Sequence, residues 1–241
     1  MLQTRRGWIR AIRSELGTLA AVLVFAGGLL GFALLADEMM EGDTHTFDRK
    51  ILLSMRSADD VRNPIGPPWF ESAAQDLTSL GSNTVLVLVS LSVIGFLVLS
   101  RAFGAAVLVF ASVSGGVLML ALLKAAFVRA RPDFVPHAVQ VFTDSFPSGH
   151  ATLSAITYLT LGALLARVQP HRRFKAYLLG IAIMLTLLVG TTRVYLGVHW
   201  PTDVIAGWCI GSAWAIACWL AAVWFQRRGQ VEERIEPDED K

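Results

Sequence analysis

The sequence predicts an all-α protein: a six-helix integral membrane bundle with a short interfacial helical segment between helices 1 and 2. Three observations lead there. Of the 241 residues 54% are hydrophobic and the mean hydropathy is +0.54, which together with long uncharged runs suits a bilayer. Six apolar runs alternate with polar stretches. Lys and Arg gather at alternate run ends, as the positive-inside rule expects of a multi-pass chain. The net charge of +2 says little about partners, and no nucleic-acid partner is expected.

The first run, Leu16 to Ala36, follows Arg5, Arg6, Arg10 and Arg13. It is long for a signal peptide and ends in LLADEMM without a small-residue cleavage site, so it reads as an uncleaved membrane helix. The next segment, Asp37 to Asn83, opens acidic with Asp37, Glu38, Glu41, Asp43 and Asp48. Within it FDRKILLSMR fits a short amphipathic helix at the interface. NPIGPPW is turn-rich, and Trp69 with Phe70 suits the headgroup belt.

Five further runs follow, at about Thr84–Ser100, Phe103–Phe127, Ala151–Ala166, Tyr177–Gly190 and Val204–Phe225. Gly27/Gly31 and Gly207/Gly211 are small-xxx-small pairs of the kind that let helices approach closely. Cys209 and Cys218, nine positions apart in one run, lie too far apart on a straight helix for a disulfide. The whole chain, 1–241, reads as a single domain with its core at about 84–226 and a polar tail at 227–241.

Six helices put both termini on one side, with the N-terminal arginines, Arg101, the loop Arg167-Arg172-Arg173-Lys175 and Arg227-Arg228. That side is expected to be the cytoplasm. Lys124-Arg129-Arg131 and Arg193 run against the bias, so their charges need another reason to be there.

Three clusters fall at outer-side helix ends. In KAAFVRARP, Lys124 and Arg131 are seven apart and share a face if helix persists, although Pro132 disfavours helix at Arg131. A snorkelling flank is the plain alternative. In FPSGHATLSA, Ser148 is a natural N-cap, Gly149 lets a ligand approach the backbone, and the helix start offers amides to an anion. His150 in that first turn is poorly placed as a stabilising cation and well placed to give a proton to a bound anion. In TTRVYLGVHWPTD, Pro201 and Asp203 mark a helix start that brings the carboxylate within reach of His199, beside Arg193. An Asp cap and a snorkelling Arg explain Asp203 and Arg193 singly, but not His199 four residues before Asp203. Three cations, a helix N-terminus, two histidines and an orienting carboxylate make a phosphate site with its own nucleophile and acid. No zinc-type Cys/His cluster, Walker loop or dinucleotide glycine pattern is present.

These clusters resemble the signature of the type 2 phosphatidic-acid phosphatase superfamily, which also includes class A acid phosphatases and vanadium haloperoxidases. K-x6-R-P, P-S-G-H and S-R-x5-H-x3-D read here as Lys124…Arg131-Pro132, Pro147-Ser148-Gly149-His150 and Thr192-Arg193…His199…Asp203. Thr192 replaces the family's Ser and keeps its hydroxyl. The resemblance implies that His199 attacks phosphorus and forms a phosphohistidine, with Asp203 orienting it. His150 would protonate the leaving oxygen and then activate water. Lys124, Arg131 and Arg193 would hold the phosphate, helped by Ser148 and Gly149. It implies no metal or other cofactor. The expected substrate is a lipid phosphate, of the undecaprenyl pyrophosphate, phosphatidic acid or phosphatidylglycerophosphate class, met at the outer face of the inner (plasma) membrane. A lipid phosphotransferase and a non-enzymatic anionic-lipid binder or transporter remain the alternatives.

Overall fold

Long apolar stretches without charge leave the backbone no better option than internal hydrogen bonds, and the chain is accordingly helical. The structure is a computed structural model describing residues 2–133 and 143–227, with side chains from 16 to 133 and 143 to 225. The side chains of Arg5, Arg6, Arg10, Arg13, Arg227 and Arg228, and the tail beyond, fall outside what is described. The helices are α1 (Leu2–Glu41), α2 (His45–Ser54), α3 (Pro68–Ser79), α4 (Asn83–Leu99), α5 (Phe103–Ala126), α6 (Gly149–Val168), α7 (Arg172–Tyr195) and α8 (Pro201–Arg227).

Five of them contain stretches long and apolar enough to cross a membrane: Leu16–Glu41, Phe103–Ala126, Gly149–Val168, Arg172–Tyr195 and Pro201–Phe225. α4 is short for this, and a sixth span arises only if α3 and α4 count as one, bent by 45° at Leu80–Ser82. The six-helix expectation is thus met only in part. The α2 segment is helical, as FDRKILLSMR suggested, but its protein-facing side carries Asp48 and Leu52, both fully buried. α3 was not foreseen. It starts at Pro68, where the missing N–H costs a helix nothing, and the glycine ahead of it, Gly66, has φ +105°.

α8 is the central element. α1 runs along it, and α6 packs against both α7 and α8. Gly207 and Gly211 permit the α6–α8 approach, since a Cβ on Gly211 would lie 2.6 Å from the Thr152 carbonyl oxygen. On α1 the close-packed glycines are Gly28 and Gly31, against Cys209 and Ala213, while Gly27 meets nothing within 4 Å. That corrects the expected Gly27/Gly31 pair by one position. Cys209 and Cys218 are both free. Beneath the clustered charges, Phe146 is fully buried against Phe32 and Phe127, so the floor of that region is apolar.

Candidate active site

The C-termini of α5 and α7 and the N-termini of α6 and α8 meet at one end of the bundle, and the candidate site residues Lys124, Arg131, Ser148, Gly149, His150, Arg193, His199 and Asp203 lie there. α8 begins at Pro201, and Asp203 in its first turn folds back so that Oδ2 accepts the Trp200 amide at 3.0 Å. This fixes the carboxylate 3.4 Å from Nδ1 of His199. Both side chains are buried, His199 at 2% exposure and Asp203 at 0%. Burial pushes the His199 imidazole down to about 3, against the opposing pull of Asp203, and Arg131 and Arg193 push the same way as burial. The ring is therefore neutral around neutral pH.

Asp203 has further partners. Ser145 donates to Oδ2 at 2.5 Å, with its hydroxyl 3.4 Å from Nδ1 of His199. Arg129 donates from Nη1 to Oδ1 at 2.5 Å and to the Thr202 hydroxyl at 2.8 Å. Its other nitrogen, Nη2, donates to the Thr44 hydroxyl at 2.8 Å and to Asp48 Oδ2 at 2.7 Å. Neither Ser145 nor Asp48 was foreseen as a site residue. The sequence marks Arg129 only as a charge against the topology bias.

On the other side of the imidazole stands Arg131. Its Nη1 donates to the Val198 carbonyl at 2.7 Å and lies 3.1 Å from Nε2 of His199, and its Nε donates to the Thr143 carbonyl at 2.9 Å. Burial lowers its pKa, opposed by the charges of Asp203 and Asp144. Lys124 donates to the Asp144 carbonyl at 2.6 Å, the same oxygen that Arg131 Nη2 reaches at 3.4 Å. The two cations do converge, but not along a helix face. α5 stops at Ala126, Phe127 is extended (φ −116°, ψ 102°), and a non-helical strand of chain brings Arg131 back.

Ser148 takes the N-cap position of α6, yet its hydroxyl makes no capping bond. Its Oγ is buried without a partner, and so is Nε of Arg193. Two orphaned polar atoms at this end suit an added ligand, because a buried group left unpaired costs about 1–3 kcal/mol. Arg193 otherwise donates to the Thr78 hydroxyl of α3 at 3.1 Å. The Ser148 amide donates to the Asp203 carbonyl at 3.0 Å, tying the starts of α6 and α8 together. Next come the Gly149, His150 and Ala151 amides, which no helix can satisfy from within. Lys124 packs beside Gly149, its Cε 3.9 Å from where a Cβ would stand. Three cations, Arg193, Arg131 and Lys124, and the His199 ring gather around the half-buried His150. Among the described residues no three His, Cys, Asp or Glu side chains are grouped as a metal-binding set.

Chemically, the arrangement offers a tetrahedral oxyanion three cations and a helix N-terminus, with a buried neutral imidazole on one side and a second imidazole near by. The PAP2 superfamily model matches residues 102–227. The phosphatidylglycerophosphatase B of Bacillus subtilis is 32% identical over 173 residues, spanning 66% of this chain and 80% of that protein. A lipid A 1-phosphatase of Rhizobium johnstonii is 36% identical over 131 residues, 50% of this chain and 48% of its own. The chain thus spans about half the length of that relative. Among solved structures, the transmembrane PAP2-type phosphatidylglycerolphosphate phosphatase from Bacillus subtilis superposes with a TM-score of 0.71 at 26% identity. The match covers 88% of this chain and 98% of that one.

Proposed function

The chain belongs to the PAP2 superfamily and is a membrane phosphatase, and we propose that it hydrolyses the phosphate of a membrane lipid through a phosphohistidine. What carries this reading is the neutral His199, whose Nδ1 faces Asp203 and whose Nε2 faces Arg131. Nε2 attacks phosphorus while Lys124, Arg131, Arg193, Ser148 and the Gly149 amide hold the equatorial oxygens. The bond from phosphorus to the lipid oxygen breaks, and that oxygen takes a proton from His150. Water then attacks the phosphohistidine and gives its proton to His150, and the P–N electron pair returns to Nε2.

The cations supply the charge that Mg²⁺ brings to other phosphoryl-transfer sites, so no metal or cofactor is needed. The relatives' names favour a phosphatidylglycerophosphate-like phosphomonoester, with undecaprenyl diphosphate and lipid A phosphate as the neighbouring classes. A site at helix ends suits a substrate whose tail stays in the bilayer. We place the protein in the inner (plasma) membrane as one domain over 1–241. Six spans put the termini in the cytoplasm and the site at the outer face. The Lys/Arg asymmetry supports that orientation, and the count of six takes the bent α3–α4 pair as one span.

Phosphate release by the purified protein across a lipid panel, with and without chelator, tests the reaction. Turnover should survive chelation and be inhibited by vanadate, which adopts a five-coordinate geometry like the transition state. Activity lost to chelator and restored by Mg²⁺ would overturn the charge assignment. In intact cells a thiol reagent should label a Cys placed at Asp43 and spare one at Gln169; the opposite pattern would put the site in the cytoplasm.

A further inference from the structure

Behind His199 three buried charges stand in line. Asp203 accepts from Arg129, and Arg129 donates to Asp48. Asp48 and Asp203 are 0% exposed and Arg129 is 7% exposed. Asp48 belongs to α2, outside the stretch 102–227 that matches the family model. Its bonding capacity is directed wholly at the site: Oδ1 accepts the Thr202 amide at 2.9 Å, and Oδ2 accepts the Thr202 hydroxyl at 2.7 Å as well as Arg129. Thr202 is the residue before Asp203 and lies in the first turn of α8.

Formal charge decides what such a line does. Asp203 with Arg129 alone sums to zero, and a neutral pair exerts a weak field on an imidazole. Adding Asp48 makes the trio −1. When Nε2 of His199 attacks phosphorus, the ring becomes a cationic phosphoimidazolium whose Nδ1–H still points at Asp203. In a water-poor interior the net charge facing that cation matters far more than it would in solution. We infer that Asp48 is a positioning residue for the reaction: it occupies the far side of Arg129 and leaves Asp203 its full negative charge toward His199. Arg129 meanwhile holds the carboxylate's orientation, and α2 is the element that delivers the second acid. The inference rests on the proposed role of His199 as nucleophile.

Full-length protein in detergent, assayed with p-nitrophenyl phosphate, separates charge from mere tethering of α2. Asp48→Asn takes the trio to zero and should lower kcat roughly 10- to 100-fold, an effect within the usual coupling energies of contacting groups, with KM changed by no more than about twofold. Asp48→Glu keeps the charge while disturbing the seat of α2, and should keep kcat within about fivefold. The double variant Asp48→Asn with Arg129→Met restores −1 and should turn over faster than Asp48→Asn alone. If that double variant does not fold, the Asn and Glu variants still decide. The inference is overturned if Asp48→Asn keeps the kcat of the unaltered protein, if Asp48→Glu falls as far as Asp48→Asn, or if a folded double variant is no faster than Asp48→Asn. Trapping of phosphoenzyme in His199→Ala would instead sink the underlying mechanism. With no such trapping and an unaffected Asp48→Asn, only the role of Asp48 fails.

Discussion

Arg131 donates from Nη1 to Nε2 of His199 at 3.1 Å, and this contact settles where the imidazole proton sits. A guanidinium has donors and no acceptor, so Nε2 must be the bare nitrogen and Nδ1 must carry the hydrogen. That hydrogen has Asp203 Oδ2 and the Ser145 hydroxyl to meet, each at 3.4 Å. A neutral imidazole with its lone pair on Nε2 is the form a nucleophile needs. The same guanidinium therefore faces the lone pair and, by the proposed mechanism, turns to the phosphate when substrate arrives.

Arg131→Lys tests this double duty. A lysine places one ammonium where the fork now reaches Val198, His199 and the 143–144 carbonyls together. Losing bidentate contact to the transferring phosphate should lower kcat/KM by about 100-fold, on the scale of removing one preorganised oxyanion donor. A lysine variant within threefold of the unaltered enzyme would show that a point charge suffices.

The depressed pKa of His199 has a consequence for stability. Its value is about 3 in the folded protein against an ordinary 6.5. Between those limits the unfolded chain binds a proton that the folded chain excludes. Stability is thus full above about 6.5 and falls as pH drops toward 3. Thermal melting in detergent should show a steeper decline from pH 7.5 to pH 5 for the unaltered protein than for His199→Gln, which cannot titrate. Parallel declines would mean that burial does not hold the imidazole neutral.

Gly81, at the break between α3 and α4, makes a packing prediction. A Cβ there would stand 2.3 Å from Cγ1 of Val189 and 3.3 and 3.4 Å from two carbons of His150. Val189 is fully buried and short, so it has nowhere to retreat. The break is also pinned by Tyr158, whose hydroxyl donates to the Leu80 carbonyl at 2.7 Å. Gly81→Ala should cost about 1–3 kcal/mol of stability as an overpacked site does, and should slow turnover by pushing His150 from its place. Unchanged melting and unchanged turnover would show the break to be loose.

Much of this was legible because local chemistry sets helix starts. Pro201 with Asp203 announced α8, and Ser148-Gly149 announced α6, each within the same turn of chain. Apolar runs likewise announced α5, α7 and the membrane part of α1. What escaped had no local signature. α3 begins in a proline-rich stretch that reads as turn, and its apolar side is modest. Asp48 and Arg129 are far apart in sequence and meet only because α2 folds over the start of α8. Ser145 is one serine ahead of a phenylalanine, and only the folded chain reveals that it donates to Asp203. The spacing of Lys124 and Arg131 suggested a shared helical face, whereas the two converge through a carbonyl at Asp144, beyond the helix end.

The two histidines can be told apart by leaving group. His199 has the carboxylate and the bare Nε2, whereas His150 sits in the first turn of α6 among four other basic groups. If His199 is the nucleophile, His199→Ala should abolish turnover whatever leaves. If His150 is the acid, His150→Ala should hurt most with a lipid alkoxide, which needs its proton, and least with a phenolate of low pKa. An aryl phosphate should therefore still load phosphate onto the protein in His150→Ala, and the adduct should persist because water lacks its base. Acid-labile, base-stable label trapped on His150→Ala and absent from His199→Ala is the expected result. Label on His199→Ala, with none on His150→Ala, would exchange the two roles and leave the pairing of His199 with Asp203 as a structural contact only.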